Sequence, residues 1–268
     1  MPHRLYHTAW GRCLLKILTA PAISKMAGVF MNSSLSKPYI KRFIKKNNID
    51  MTDYKTENWT CFNEFFTRKL RNGKRNPVMQ ANVLISPCDG LLSVYHINED
   101  STFEIKDSVY TIEQLTQNEE IAREYDGGLC LIFRLTPTDY HRYIYPDTGA
   151  KGKNTFIRGV LHTVRPVAFD KFPVFKTNSR EYCILRTNNF DDVVFMEVGA
   201  MMVGKICNYH QEHNFKRGEE KGKFEFGGST IIMLLKKNIA LIDSDIKEVC
   251  NNGEEFRVKL GEKIGIRI

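Results

Sequence analysis

One serine in this chain stands where its hydroxyl could attack the peptide backbone. Ser229 directly follows Gly227 and Gly228 and precedes a run of aliphatic residues that is typical of a β-strand. Because paired glycines reach backbone angles that other residues avoid, the Ser229 hydroxyl could turn back onto the Gly228 carbonyl carbon. The same residues also suit a plain hairpin turn that carries an ordinary serine. From this stretch alone, both interpretations stay open.

A serine becomes a nucleophile only when a base takes its proton and a third group orients that base. Three residues could serve here. Asp89 ends an apolar strand at an Asp-Gly turn, and His141 follows another strand in a polar, loop-like setting. His162 lies within an apolar stretch that we predict to be a strand. Each has an ordinary alternative: a turn aspartate, a surface or capping histidine, and a histidine satisfied within the core.

Three motifs along the chain carry these residues. Residues 86–90 read Ser-Pro-Cys-Asp-Gly, residues 139–142 read Asp-Tyr-His-Arg, and residues 226–230 read Phe-Gly-Gly-Ser-Thr. Together with Phe-Phe-Thr-Arg at residues 65–68, they resemble the phosphatidylserine decarboxylases, in particular the subgroup with Gly-Gly-Ser-Thr. The resemblance extends from about residue 59 to residue 265.

This resemblance implies a reaction and a set of roles. In the family, the bond equivalent to Gly228–Ser229 breaks when the serine attacks the preceding carbonyl, which would leave a β chain of residues 1–228 and an α chain of residues 229–268. The new N-terminus becomes a pyruvoyl group, a covalent cofactor that forms a Schiff base with phosphatidylserine and accepts electrons as CO2 leaves to give phosphatidylethanolamine. The resemblance places Asp89 in the Asp-His-Ser relay for self-cleavage.

The chain departs from a common pattern of this family at one position. Many members carry a second histidine three residues after that of Asp-Tyr-His-Arg, where this chain has Ile144. Either His141 acts alone or His162 has taken the second role, since residues 159–164 are similar to a stretch of the Gly-Gly-Ser-Thr subgroup. Which histidine is the base for Ser229, and which assists decarboxylation, stays open.

Positive charge is concentrated in the N-terminal part of the chain. Residues 1–75 hold 15 Lys and Arg against 4 Asp and Glu, whereas the remainder holds 24 against 27. In this part of the chain apolar residues recur at helical spacing, and the pattern continues through residues 59–70. No run of apolar residues approaches the roughly 18 that a helix needs to cross a bilayer. We therefore predict that residues 1–75 form amphipathic helices that bind an anionic membrane surface peripherally, on its cytoplasmic face. Packing of these helices on the protein's own core is the alternative.

Short apolar runs, bounded by glycine or acidic residues, begin near residue 83 and continue to the C-terminus. Because they do not alternate regularly with helices, they favour the α+β class. We predict a β-rich catalytic core of mostly antiparallel strands over residues 76–268, preceded by the amphipathic helices. Strands are expected at residues 90–95, 128–134, 192–198 and 200–203, and residues 261–265 are expected to form a turn into a final strand.

Metal and disulfide chemistry are not predicted. Seven scattered cysteines without paired spacing argue against a disulfide framework and a zinc site, and favour a reducing compartment. His210 and His213, even with Glu212, are too few for a defined metal site, so we predict solvated loop residues there and no metal.

Two other functions compete with the phospholipid reaction. A pyruvoyl-dependent decarboxylase of a soluble amino acid would share the self-cleavage but would need no lipid. A nucleic-acid-binding β domain with a basic arm is the non-enzymatic alternative, which the lack of clustered aromatics on a basic strand disfavours. We predict phosphatidylserine and a membrane surface as partners and no nucleic acid, and the question of a homo-oligomer stays open.

Overall fold

The computed structural model describes residues 19–56, 58–105, 108–163, 174–200, 205–227 and 229–268. The helices are α1 (Pro21–Met31), α2 (Pro38–Asn47), α3 (Phe62–Phe66), α4 (Ile112–Thr116), α5 (Glu119–Glu124), α6 (Val174–Thr177) and α7 (Ser244–Asn251). The strands are β1 (Val83–Ile85), β2 (Gly90–His96), β3 (Thr102–Ile105), β4 (Ser108–Thr111), β5 (Leu129–Leu135), β6 (Arg142–Ile144), β7 (Gly149–Lys151), β8 (Thr155–Ile157), β9 (Arg180–Thr187), β10 (Asp192–Gly199), β11 (Ile206–Asn208), β12 (His213–Phe215), β13 (Glu220–Phe224), β14 (Ser229–Leu235), β15 (Ala240–Ile242), β16 (Phe256–Val258) and β17 (Lys263–Arg267). Gly228, half of the predicted cleavage bond, lies outside the described residues.

One nine-stranded antiparallel sheet dominates the described part of the chain. Its strand order is β12-β7-β9-β10-β14-β5-β2-β16, with β8 also paired to β9. Smaller sheets have the orders β1-β17-β15 and β11-β13-β6, and β3 pairs with β4. The predicted α+β class is confirmed, and four predicted strands are confirmed as β2, β5, β10 and the final strand β17. The strand predicted at residues 200–203 falls largely on residues outside the described part of the chain.

The central strand β14 explains the apolar run that follows Ser229. All of its residues are buried. Ile231 packs with Phe133 on one face of the sheet, and Ile232 packs with Ile132 on the other. A strand covered on both faces needs apolar side chains on both sides rather than an alternating pattern. The pairing of Ser229 with Leu135 and Gly199 sets this residue at the start of β14.

The two strands that flank Gly227 do not form a hairpin, so that interpretation is wrong. Strand β13 pairs with β6 and β11, whereas β14 pairs with β5 and β10. The chain therefore crosses from one sheet to another just before Ser229. Gly227 has a φ of 146°, which residues with a side chain rarely adopt.

The helices that precede the sheet are shorter than the sequence pattern indicated. Helix α1 begins at Pro21, in keeping with the preference of proline for the first helical turn. The helical pattern expected to run on through residues 59–70 yields only the five residues of α3. After this helix the chain becomes extended, and Leu70 pairs with Tyr54 in an isolated bridge. The division of the chain at residue 75 stays a prediction.

Candidate active site

Four neighbouring strands of the large sheet end in one row that contains Ser229. Ser229 lies opposite Leu135, the last residue of β5, and opposite Gly199, the last residue of β10. Strand β2 brings Gly90 beside Leu135, since a Cβ atom on Gly90 would lie 3.7 Å from the Leu135 nitrogen. With strands about 4.8 Å apart, the backbone of Gly90 is about 10 Å from that of Ser229. We call these four strand ends the active-site row.

The Ser229 hydroxyl makes no stabilising hydrogen bond among the described residues. Ser229 is fully buried, and its Oγ has no hydrogen-bond partner there. Leaving a buried polar group unpaired costs about 1–3 kcal/mol, so such a group calls for a functional explanation. The hydroxyl is therefore available as a nucleophile.

Asp89 occupies the turn that enters β2 at the active-site row. Its carboxylate accepts the Leu260 N–H at 2.8 Å, and Arg75 Nε donates to the same oxygen at 3.3 Å. Asp89 is only 5% exposed, so the Arg75 charge offsets part of the cost of burying the carboxylate. Asp89 thus adjoins Gly90 at the active-site row, two strands away from Ser229, and its carboxylate is held by Arg75 and Leu260.

His141 lies in a loop after β5, as predicted, but its predicted polar setting is wrong. The side chain is fully buried, and its ring centroid lies 3.8 Å from that of Phe66 in α3. Neither ring nitrogen has a hydrogen-bond partner among the described residues. The Phe66 ring also lies 5.2 Å from the ring of Phe226, three residues before Ser229. Phe66 therefore joins the His141 loop to the segment ahead of the nucleophile.

Both candidate histidines are neutral at physiological pH. Burial, and next the charge of Arg68, lower the pKa of His141 to about 3. Burial also lowers the pKa of His162. A neutral imidazole can accept a proton, but one with a pKa of about 3 is a weak base toward a hydroxyl group.

His162 does not lie in a strand, contrary to the sequence prediction. Its backbone N–H donates to Asn178 Oδ1 at 2.9 Å, and its carbonyl accepts from Asn178 Nδ2 at 2.8 Å. Because one side chain satisfies both backbone groups, this segment needs no strand partner. The same Nδ2 donates to the Gly199 carbonyl at 2.8 Å, and Gly199 faces Ser229. Asn178 therefore ties His162 to the active-site row.

Helix α3 holds the segment ahead of Ser229. Asn63 Oδ1 accepts the Phe226 N–H at 2.8 Å, and the Phe62 ring packs on the Phe226 ring at 5.0 Å. Asn63 is 3% exposed, and its Nδ2 has no partner among the described residues. Sequence reasoning assigned no role to Asn63 or Asn178. For Asn63, the available signal was one amide among three phenylalanines of a short helix.

His210 and His213 lie together, but the third group is Glu219 and not Glu212. Their candidate ligand atoms all lie within 4.8 Å of one another, and His213 Nε2 is 2.6 Å from Glu219 Oε1. Tetrahedral zinc with bonds of about 2.1 Å sets its ligands only about 3.4 Å apart. The distance from His213 to Glu219 is shorter than that, because the two side chains share a hydrogen bond, and the absence of a metal stays a prediction.

Known proteins match almost the whole of this chain. Residues 62–266 match the phosphatidylserine decarboxylase family. Phosphatidylserine decarboxylase proenzyme 2 of Clostridium acetobutylicum is 45% identical over 262 residues, covering 97% of this chain and 90% of the relative. The phosphatidylserine decarboxylase proenzymes of Ruminiclostridium cellulolyticum (43% over 267 residues, 97% and 89% covered) and Clostridium botulinum (41% over 268 residues, 98% and 91% covered) are similar too. The chain therefore belongs to the phosphatidylserine decarboxylase family, as its motifs indicated.

Proposed function

We propose that this chain is a proenzyme that cuts itself between Gly228 and Ser229 and then decarboxylates phosphatidylserine to phosphatidylethanolamine. The relatives named phosphatidylserine decarboxylase proenzymes support both parts. The observation that carries the cleavage site is the Ser229 hydroxyl, which is fully buried and has no partner among the described residues.

Self-cleavage needs no reagent beyond water. Ser229 Oγ attacks the Gly228 carbonyl carbon, the peptide C–N bond breaks, and an ester replaces it. Loss of the Ser229 α-proton and departure of the Gly228 carboxylate then leave dehydroalanine at the new N-terminus. Addition of water and release of ammonia turn that residue into a pyruvoyl group. No oxidant is required, because the elimination itself raises the oxidation state of the carbon next to the carbonyl.

We assign His162 as the base for Ser229. Its backbone is tied through Asn178 to Gly199, which faces Ser229. His141 would accept the proton poorly, because its pKa is lowered to about 3. We assign His141 to proton transfer during decarboxylation, where negative charge on an incoming substrate would raise its pKa.

The surroundings of Ser229 suit a pyruvoyl group at this position. When present, its carbonyl supplies an electron sink for the carbon that loses CO2. Ser229 Oγ has no hydrogen-bond partner among the described residues, so no existing contact is lost when residue 229 becomes a keto group. Burial of the active-site row keeps bulk water away from the reacting carbon.

The wild-type protein tests this function directly. Denaturing electrophoresis and intact mass should show chains of residues 1–228 and 229–268, the smaller one blocked by a keto group. The processed protein should release CO2 from phosphatidylserine in vesicles and not from free serine. Release from free serine would favour a soluble amino-acid decarboxylase instead.

We also infer that α1 and α2 lie against an anionic membrane. They and the turn between them expose large apolar side chains: Met26 (68% exposed), Val29 (68%), Leu35 (74%) and Tyr39 (51%). The Phe30 ring, 6.0 Å from that of Tyr39, connects the two helices. We call these five residues the apolar patch.

The charge around the apolar patch suits an anionic lipid surface. Residues 19–49 hold six Lys and Arg and no Asp or Glu. Each basic residue near an anionic leaflet contributes about 1 kcal/mol of attraction. None of the described helices is long and apolar enough to cross a bilayer. The cytoplasmic face as the site of binding stays a prediction.

Vesicle binding tests the apolar patch with a closely matched control. Met26→Asp should weaken binding to phosphatidylserine-containing vesicles about tenfold or more, because insertion of its apolar side chain is lost. Met79→Asp changes a methionine that is 67% exposed outside the patch and should leave binding unchanged. Equal binding by both variants in vesicle flotation would contradict this orientation.

The position of Asn63 predicts an effect on self-cleavage. Asn63→Leu should slow cleavage about tenfold, because the Phe226 N–H loses its acceptor and the segment before Ser229 loosens. Asn63→Asp keeps an acceptor oxygen and should cleave faster than Asn63→Leu. A time course on denaturing gels after cell-free synthesis measures both rates. Equal rates for both variants and the wild type would show that the contact does not position the segment.

A further inference from the structure

Arg68 is a cation that the fold buries without a counter-charge among the described residues. It is 1% exposed, and its Nε and Nη1 have no hydrogen-bond partner there. Nη2 donates to the backbone carbonyls of Thr138 at 3.1 Å and Asp139 at 3.4 Å. The guanidinium carbon lies 4.1 Å from the centre of the Tyr54 ring. Three N–H bonds, one on Nε and two on Nη1, therefore have no acceptor among the described residues.

Other buried arginines of the described chain are satisfied. Arg180 is equally buried, but all three of its nitrogens donate to backbone carbonyls. Arg217 pairs with the buried Asp147 at 2.9 Å. An uncompensated buried charge costs several kcal/mol. The unused donors of Arg68 therefore indicate a ligand that supplies the missing negative charge.

An open cavity of about 340 Å³ adjoins Arg68, and its walls are strongly basic. Lys69, Arg142 and Lys223 also line it. Its one described acid, Glu64, accepts a backbone N–H of the neighbouring segment. The cavity therefore suits a small anionic group.

The cavity lies next to the candidate active site. The Arg68 hydrogen bonds hold the turn that leads into His141. Phe66, two residues before Arg68, packs directly on the His141 ring. An anion bound to Arg68 would therefore be part of a molecule that reaches the active-site row.

We propose that Arg68 binds the phosphodiester of the phospholipid headgroup, an inference that rests on the function proposed above. The substrate carries two anionic groups, the phosphodiester and the serine carboxylate. An ion pair with the carboxylate would stabilise the ground state more than the transition state for CO2 loss and so slow the reaction. The phosphodiester keeps its charge throughout, and its non-ester oxygens can accept hydrogen bonds from the unpaired Nε and Nη1 of Arg68.

Water-soluble headgroups test this site in the wild-type processed enzyme. Glycerophosphoethanolamine, which has the phosphodiester and no carboxylate, should compete with phosphatidylserine in mixed micelles. Ethanolamine, which lacks the phosphodiester, should inhibit at least about tenfold more weakly. Equal inhibition by the two compounds would overturn the assignment without the need for any variant.

Variants of Arg68 then show which anionic group of the substrate it binds, the phosphodiester or the carboxylate. Arg68→Gln should raise KM for phosphatidylserine about 10- to 100-fold with a smaller change in kcat, and Arg68→Lys should be intermediate. Arg68→Gln should weaken inhibition by glycerophosphoserine and inhibition by glycerophosphoethanolamine by the same factor. Weaker inhibition by glycerophosphoserine alone would show that Arg68 binds the carboxylate. Arg158→Gln, at an exposed arginine outside the cavity, is the matched control.

The outcomes also separate this inference from the function on which it rests. A wild-type chain that neither cuts itself nor releases CO2 contradicts the proposed function. A wild-type chain that does both, while cleaved Arg68→Gln keeps the wild-type KM, contradicts only the phosphodiester site. If Arg68→Gln does not fold, the comparison of inhibitors in the wild type decides.

Discussion

Ser229→Ala yields a single uncut chain of 268 residues that releases no CO2 from phosphatidylserine. The loss is complete, because the same side chain provides the nucleophile for cleavage and the atoms of the keto group. The variant should fold normally and be at least as stable as an uncut wild-type chain. The hydroxyl that it loses has no hydrogen bond among the described residues, so no interaction is removed with it.

Intact mass, denaturing electrophoresis and thermal unfolding measure this prediction. Thr230→Val is the discriminating companion, since Thr230 is the adjacent buried residue whose hydroxyl also has no partner in the described part of the chain. Cleavage should persist in Thr230→Val and disappear in Ser229→Ala. The opposite pattern would show that Thr230 is the nucleophile.

His162→Ala and His141→Ala separate the two steps of the proposed reaction. His162→Ala should slow self-cleavage by about 10²- to 10⁴-fold, the usual contribution of a positioned base. His141→Ala should still cleave, because a base with a pKa lowered to about 3 contributes little to deprotonating Ser229. Its turnover, measured per keto group formed, should fall by a similar factor of about 10²–10⁴.

A time course of cleavage after cell-free synthesis and CO2 release by the processed protein give the two rates independently. His96→Ala, at an exposed residue at the end of β2, is the control and should match the wild type in both. Slow cleavage in His141→Ala with normal cleavage in His162→Ala would reverse the assignment of the bases.

The sequence by itself determined the family, the fold class and the strands β2, β5 and β10. These predictions depend on short-range features: apolar runs of strand length, glycine pairs and motifs whose residues are adjacent in the chain. Ser229 was also identified from a short-range feature, because the carbonyl carbon that it would attack belongs to the residue directly before it in the sequence. The later match of residues 62–266 to the family confirmed the motif-based interpretation.

Only the tertiary structure decided how the candidate groups are arranged around Ser229. The register of β14 between β5 and β10 sets Gly199 opposite Ser229, and Asn178 then ties His162 to that strand end. Phe66 likewise buries His141, which the local sequence had indicated to be polar and loop-like. Each of these contacts joins residues that are distant in the chain. Their existence depends on strand register and packing, which no local pattern of residue types encodes.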